Sequence, residues 1–222
     1  MSDIINHMKD QDSFVSSICK RVSDLAINAV SEKGHFSLVL SGGRTPKLIF
    51  EMLRANYFSI IPWSNVVFFW VDERCVGPDH ESSNFALANK YLISPLKEVG
   101  GVYRMKGEME PIEAAFDYED TLDHFFDFKY PVFDLMLLGA GEDGHVASLF
   151  PNSEELKTGR KVVSTENRYH GLFRLSMSLD VINAAKHKLV MVNNVKKMNS
   201  ILSKDKKYPI NLIFNKEVFY CS

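Results

Sequence analysis

The strongest constraint on the fold is a set of strand-length apolar runs that each stop at a polar or glycine-rich loop. "HFSLVL" (35–40) runs into "SGGRTP", "NVVFFWV" (65–71) into "DERC", and "FDLMLLG" (133–139) into "AGEDGH". A strand apolar at nearly every position, rather than at alternate ones, has both of its faces covered. Such strands suit a sheet whose parallel neighbours are joined by helical crossovers. The crossovers are legible as helical spacing. Phe14, Ile18, Val22, Leu25, Ala29 and Val30 share one face, with Gly34 as a stop. "PKLIFEMLRANY" follows Thr45 as an N-cap and Pro46 as the first helical residue. Ser83 caps a helix reaching Ile93, and residues 110–128 form a longer one. Candidate strands follow at 160–164, 172–178, 187–193 and 209–214, with short helices at 181–186 and 195–203. This alternation predicts an α/β fold: one doubly wound domain over residues 1–222, with a mostly parallel sheet and helices on both faces. No linker rich in Pro, Gly or Ser divides the chain.

Several function classes are disfavoured at this level. The formal net charge of −2 supplies no whole-molecule field for nucleic acid or an anionic membrane, so an anionic ligand needs local groups. The three cysteines, Cys19, Cys75 and Cys221, are far apart and show no C-x-x-C, which argues against a disulfide framework or a zinc site. Cys75 follows Arg74, but an incidental small thiol is the simpler reading. The N-terminal stretch is polar, and no apolar run approaches the ~20 residues of a membrane span. The expected setting is the cytoplasm.

In a doubly wound sheet the ligand lies beyond the carboxyl ends of the strands. Three strands end there in loops of unusual composition, at Ser41, Asp72 and Gly139. The first, "SGGRTP", joins a strand to a helix. Gly42 and Gly43 let backbone N–H groups approach an anion, and the helix start adds unpaired donors and a positive dipole end. Ser41, Thr45 and Arg44 could add hydroxyls and charge. The alternative is an ordinary tight turn, and the Walker spacing is absent. In the second loop, Asp72 and Glu73 precede Arg74, whose fork of donors matches a phosphate, although charges at a strand edge are also simply solvated.

The third loop, "GAGEDGHVASLFP" (139–151), holds Gly139, Gly141 and Gly144 at dinucleotide-fingerprint spacing. It lies too deep in the chain for that role, and it carries Asp143 and His145 where a pyrophosphate would approach. "HVASLF" can begin a helix. His145 would then stand at its N-terminus, where the dipole keeps the ring neutral and able to accept a proton, with Asp143 to orient the ring or hold charge on it. Ser148 invites a Ser–His–Asp reading, but no G-x-S-x-G elbow is present. The other six histidines lack metal-ligand spacing. Arg174, inside an apparent strand, and Lys196, at a helix start, pass on pattern alone as solvated charges.

Taken in order, "SGGRTP", "WVDERCVGPDHESSNFALA", "LMLLGAGEDGHVASLFP" and "FRLSMSLDVINAAK" resemble the glucosamine-6-phosphate isomerase/6-phosphogluconolactonase family, from about residue 38 to about 197. The resemblance implies a Rossmann-like fold, a phosphorylated sugar lactone as small-molecule ligand, no cofactor and no required metal. Nucleic acid and membrane are not among the partners it implies, and a monomer or weak homo-oligomer is expected. By position, His145 matches the catalytic histidine and Asp143 the loop aspartate. Ser41, Gly42, Gly43, Arg44 and Thr45 match the phosphate loop. Asp72, Arg74, Gly141, Gly144, Arg174 and Lys196 complete the expected substrate contacts. "ASLFP" and "DER" favour the lactonase branch over the deaminase branch, where A-F-N-E-P and D-E-Y are typical. The alternatives are a deaminase using Asp143 as base and a sugar-phosphate sensor without turnover. The chain departs from the family at Arg44, where a small residue is usual. It departs again in "VNNVKK", where Asn193 replaces a glycine and Lys197 an alanine.

Overall fold

The computed structural model describes residues 3–165 and 168–222. The chain opens with β1 (Ile4–His7), α1 (Gln11–Lys33), β2 (Phe36–Leu40), α2 (Arg44–Asn56), β3 (Val66–Trp70) and β4 (Asp72–Arg74). Next come α3 (Asn84–Ala88), extended by a π-turn to Ile93, β5 (Gly101–Tyr103), α4 (Pro111–Phe125) and β6 (Leu135–Gly139). The remainder holds β7 (Val162–Ser164), β8 (Arg174–Met177), α5 (Leu179–Ala184), β9 (His187–Val192), α6 (Val195–Leu202) and β10 (Glu217–Tyr220).

The main sheet runs β1-β10-β9-β6-β2-β3-β5, with all its pairs parallel. The apolar runs occupy its middle: every residue of β2 and β3 is buried. Core residues cover both faces. Ile18, Val22, Ile49 and Phe50 of α1 and α2 pack with Leu38, Phe68 and Leu137. On the other face Ala114, Tyr118 and Leu122 of α4 pack with Val39, Phe69 and Met136. The doubly wound, mostly parallel α/β architecture is therefore as expected. β4, β8 and β7 form a separate three-stranded antiparallel sheet. Among the described residues, no helix is long and apolar enough to cross a membrane.

β2 lies between β3 and β6, so the winding reverses there, and the crevice at such a reversal is where open α/β sheets bind ligands. Asp134 locks this junction at its other end. Its Oδ2 accepts from the backbone N–H (2.9 Å) and the hydroxyl (2.8 Å) of Ser37, and Lys33 and Lys186 pair with the same carboxylate at 2.8 and 3.1 Å.

Several local expectations are corrected. α2 starts at Arg44 with Gly43 as N-cap, not at Pro46 after Thr45, because Gly43 makes the sharp turn at φ 109°. "HVASLF" forms no helix. Ala147 sits at φ 52° and Val146 bridges back to Leu149, so residues 146–149 make a tight turn. Residues 209–212 form a 3-10 turn opened by Pro209, and the last strand lies further on, at 217–220. The edge strands β1 and β5 carry no periodicity that marks them in the sequence.

Candidate active site

The carboxyl ends of β2 and β6, together with β4 and β8, surround one cavity. Residues 41–46 form one wall. Gly42 has no room for a side chain, since a Cβ there would overlap the amide of Asn84. Gly43 then turns the chain into α2. Among the described residues, every other α-helix has a side-chain acceptor at its N-terminus: Asp10, Ser83, Glu110, Ser178 and Asn194. α2 has none, so its first-turn N–H groups and dipole end are left for a ligand at the cavity wall.

Another part of the lining is cationic. Arg74 of β4 and Arg174 of β8 are direct cross-strand partners, and both line the cavity. Burial, and then the charge of Arg74, hold the Arg174 guanidinium below its usual pKa. Arg74 Nη1 donates to the carbonyl of Ser82 at 2.5 Å, and Arg174 Nη2 to the carbonyl of Tyr169 at 3.4 Å. The Nε atoms of both, and Oγ of Ser41, are buried without a protein partner. A buried polar group left unsatisfied costs about 1–3 kcal/mol. Oδ1 of Asn84, which faces Gly42, is a fourth such atom on the cavity and an acceptor; the other three can donate to an anion with several oxygens.

Asp72 lines the cavity and is also held by protein donors. The residue is only 6% exposed. Oδ2 accepts from the Ser148 hydroxyl at 2.8 Å, and Oδ1 from Nδ2 of Asn84 at 3.0 Å. It thus pins the 139–150 loop and the start of α3 to β4. Ser148, fully buried on Asp72, is no nucleophile partner for His145. Glu73 anchors the same region, accepting the N–H groups of Asn84 and Phe85 at 2.7 and 2.8 Å. Burial pushes its carboxyl pKa up against the pull of those donors. Cys75 is likewise pushed up, to about 11, by burial and then by Glu73, so the thiol is not activated.

His145 lines the same cavity. Its Nδ1 is 2.6 Å from Oδ1 of Asp143, which also accepts the backbone N–H of His145 at 3.2 Å. A carboxylate on Nδ1 fixes the tautomer with its proton there and leaves the Nε2 lone pair available. Asp143 lies within hydrogen-bond distance of the ring, where an orienting group must be. The expected helix N-terminus is not present, so the turn rather than a dipole places the ring.

Three positions expected to contact substrate, Gly141, Gly144 and Lys196, lie off this cavity, as does Asp143, expected beside the catalytic histidine. Asp143 faces His145. Gly141 gives its N–H to the carbonyl of His145 (2.9 Å), and a Cβ there would overlap the imidazole. Gly144 gives its N–H to the carbonyl of Gly141 (3.2 Å) and sits at φ 79° against the ring of Tyr208. Both glycines therefore shape the loop around the histidine. Lys196 points outward, its side chain 77% exposed and paired with Glu142 at 3.4 Å. Lys197, one position on, lines the cavity beside Arg44 and Asn193, because the start of α6 turns that residue inward. Burial holds the Lys197 ammonium pKa below its usual value. Asn84, Asn193 and Lys197 are the polar cavity residues that sequence reasoning missed. The two consecutive lysines of "VKK" were the available signal for the last of them.

Comparison with known proteins agrees with this fold. The family profile described as "Glucosamine-6-phosphate isomerases/6-phosphogluconolactonase" matches residues 9–220. The chain is 34% identical over 194 residues to 6-phosphogluconolactonase 3, chloroplastic, of Arabidopsis thaliana, a match covering 82% of this chain and 60% of that protein. It is 30% identical over 204 residues to the 6-phosphogluconolactonase of Nostoc sp. strain PCC 7120, covering 89% and 82%. The crystal structure of 6-phosphogluconolactonase from Thermotoga maritima superposes with a TM-score of 0.87 at 27% identity, over 99% of each chain. A profile match across nearly the whole chain, on a sheet whose winding reverses at this cavity, places the chain in the glucosamine-6-phosphate isomerase/6-phosphogluconolactonase family.

Proposed function

We propose that the chain hydrolyses 6-phospho-D-glucono-1,5-lactone to 6-phosphogluconate. The observation that carries this reading is the meeting, on one cavity, of the uncapped α2 turn, the Arg74–Arg174 pair and the ring of His145. The phosphate docks on the turn and the guanidiniums, which relieves the repulsion between the two arginines. Anchored there, the lactone presents C1 to His145, and the gain is largely positional. Nε2 takes a proton from water as the water oxygen bonds to C1. The tetrahedral intermediate then collapses, the C1–ring-oxygen bond breaks, and the imidazolium returns its proton to the departing oxygen. Water and lactone balance the open-chain acid, which ionises. The Asp143 carboxylate stabilises the imidazolium between the two transfers.

Asp143 spends its carboxylate on His145 and lies off the cavity, which supports an orienting role over that of a base in aldose–ketose transfer. The test is pH-stat titration of freshly made lactone, corrected for spontaneous opening, with ammonia release from glucosamine 6-phosphate measured in parallel. Acid release above the spontaneous rate and no ammonia is the expected result. Ammonia without lactone hydrolysis would overturn the reading.

A further inference from the structure

We infer that Phe150 and Tyr169 are positioning residues that clamp the imidazole of His145 and tie it to Arg174. This rests on the lactonase reading of the site. The hydrogen bond to Asp143 fixes one edge of the ring but leaves it free to pivot about that contact. Gly141 closes one side, where an added Cβ would overlap the ring. Phe150 supplies a further contact, its ring centroid 4.7 Å from that of His145 at 42°. Phe150 is itself held face to face with Tyr169, centroids 3.4 Å apart and planes 5° from parallel. The backbone of Tyr169 is bonded to Leu172 in both directions, at 2.9 and 3.3 Å. Its carbonyl also accepts from Nη2 of Arg174 at 3.4 Å.

Three rings therefore run from the reacting imidazole to the carbonyl that receives one of the two cavity arginines. An anion that draws Arg174 into a fixed geometry acts, through Tyr169 and Phe150, on the alignment of His145. The Tyr169 ring face carries the contact, and its hydroxyl takes no part in the chain of rings. That supplies a conservative variant. Tyr169 is half-buried, so its truncation spares the core.

The experiment compares Tyr169→Ala and Tyr169→Phe with the parent protein, on the phosphorylated lactone and on unphosphorylated glucono-1,5-lactone. Loss of the clamp should lower kcat on the phosphorylated lactone about tenfold, as for a reacting group displaced by a fraction of an ångström, and leave KM nearly unchanged. Tyr169→Phe should behave as the parent. The loss should be smaller on the unphosphorylated lactone, which leaves Arg174 unengaged. The imidazole Nδ1–H resonance, read by NMR independently of turnover, should be sharp in the parent and in Tyr169→Phe and exchange-broadened in Tyr169→Ala. Parent-like kcat with a sharp resonance in Tyr169→Ala, or equal impairment of both variants, overturns the clamp. An equal loss on both lactones overturns the link to Arg174. An inactive parent overturns the lactonase reading instead, and the resonance still decides the clamp.

Discussion

Arg74 and Arg174 stand opposite each other across the antiparallel β4·β8 pair, on the wall of the cavity. Like charges in direct cross-strand register are destabilising, by up to about 1 kcal/mol. Here the two Nε atoms are also buried without a protein partner. The pair is poorly arranged for the ligand-free fold, and the phosphate of the proposed substrate would offset its charge.

The first prediction follows from that pair. Arg174→Met should raise KM for the phosphorylated lactone roughly 10–100-fold, the worth of charge-assisted hydrogen bonds of about 1.5–3 kcal/mol. The ligand-free variant should melt at the same temperature as the parent or higher. Inorganic phosphate should raise the melting temperature of the parent more than that of the variant. Kinetics and thermal melts with and without phosphate test this, and an unchanged KM would remove Arg174 from the anion site.

His145 and Asp143 should separate in size of effect. His145→Ala should lower kcat by about 10²–10⁴, the usual worth of a positioned acid/base. Asp143→Asn keeps a side chain on Nδ1 but removes the charge that steadies the imidazolium, so its loss should be smaller and mainly in kcat. Steady-state assays on fresh lactone measure both. Full turnover in His145→Ala would falsify its role.

The two loop glycines should fail differently. Gly141→Ala places a methyl where the imidazole lies, so kcat should fall while the melting temperature holds. Gly144→Ala forces a side chain at φ 79° against the Tyr208 ring and should destabilise the fold, by more than about 1 kcal/mol. Denaturant titration beside activity assays distinguishes the two outcomes.

Asp134 should govern acid stability. Burial pushes its carboxyl pKa up, but Lys33, Ser37 and Lys186 together outweigh that and hold it below the usual value. A depressed folded pKa contributes stability that is present above the unfolded value of about 3.9 and lost as pH falls through the folded one. Denaturant midpoints should therefore drop steeply below about pH 4. Asp134→Asn should lose about 3 kcal/mol at neutral pH, since it leaves the lysines beside a neutral amide, and flatten the acid limb. An unaltered acid limb in the variant would assign that limb to other carboxylates.

The central strands and the points where they end were legible because burial on both faces writes itself into composition residue by residue, although Asp72–Arg74 continues as β4 rather than as loop. β2, β3 and β6 needed no partner to be seen, and the positions of Ser41, Asp72 and Gly139 at their ends followed. The edge strand "IINH" was not legible, because an edge strand with mostly exposed residues has no pattern to show and forms only by pairing with β10. "HVASLF" has helical propensity, but the Val146–Leu149 bridge and the packing of Leu149 into the core override it. Consecutive lysines could not be told apart, since which of Lys196 and Lys197 faces the cavity depends on how α6 is rotated against the sheet.

Composition along the chain was thus enough to establish a two-faced sheet and the residue types gathered at its carboxyl ends, because solvent exclusion acts on each side chain separately. The opposed arginines, the aspartate spent on Ser148 and the ring stack behind His145 arose only on folding. They join residues up to about a hundred positions apart, and strand register and packing, which no local window contains, bring them within contact.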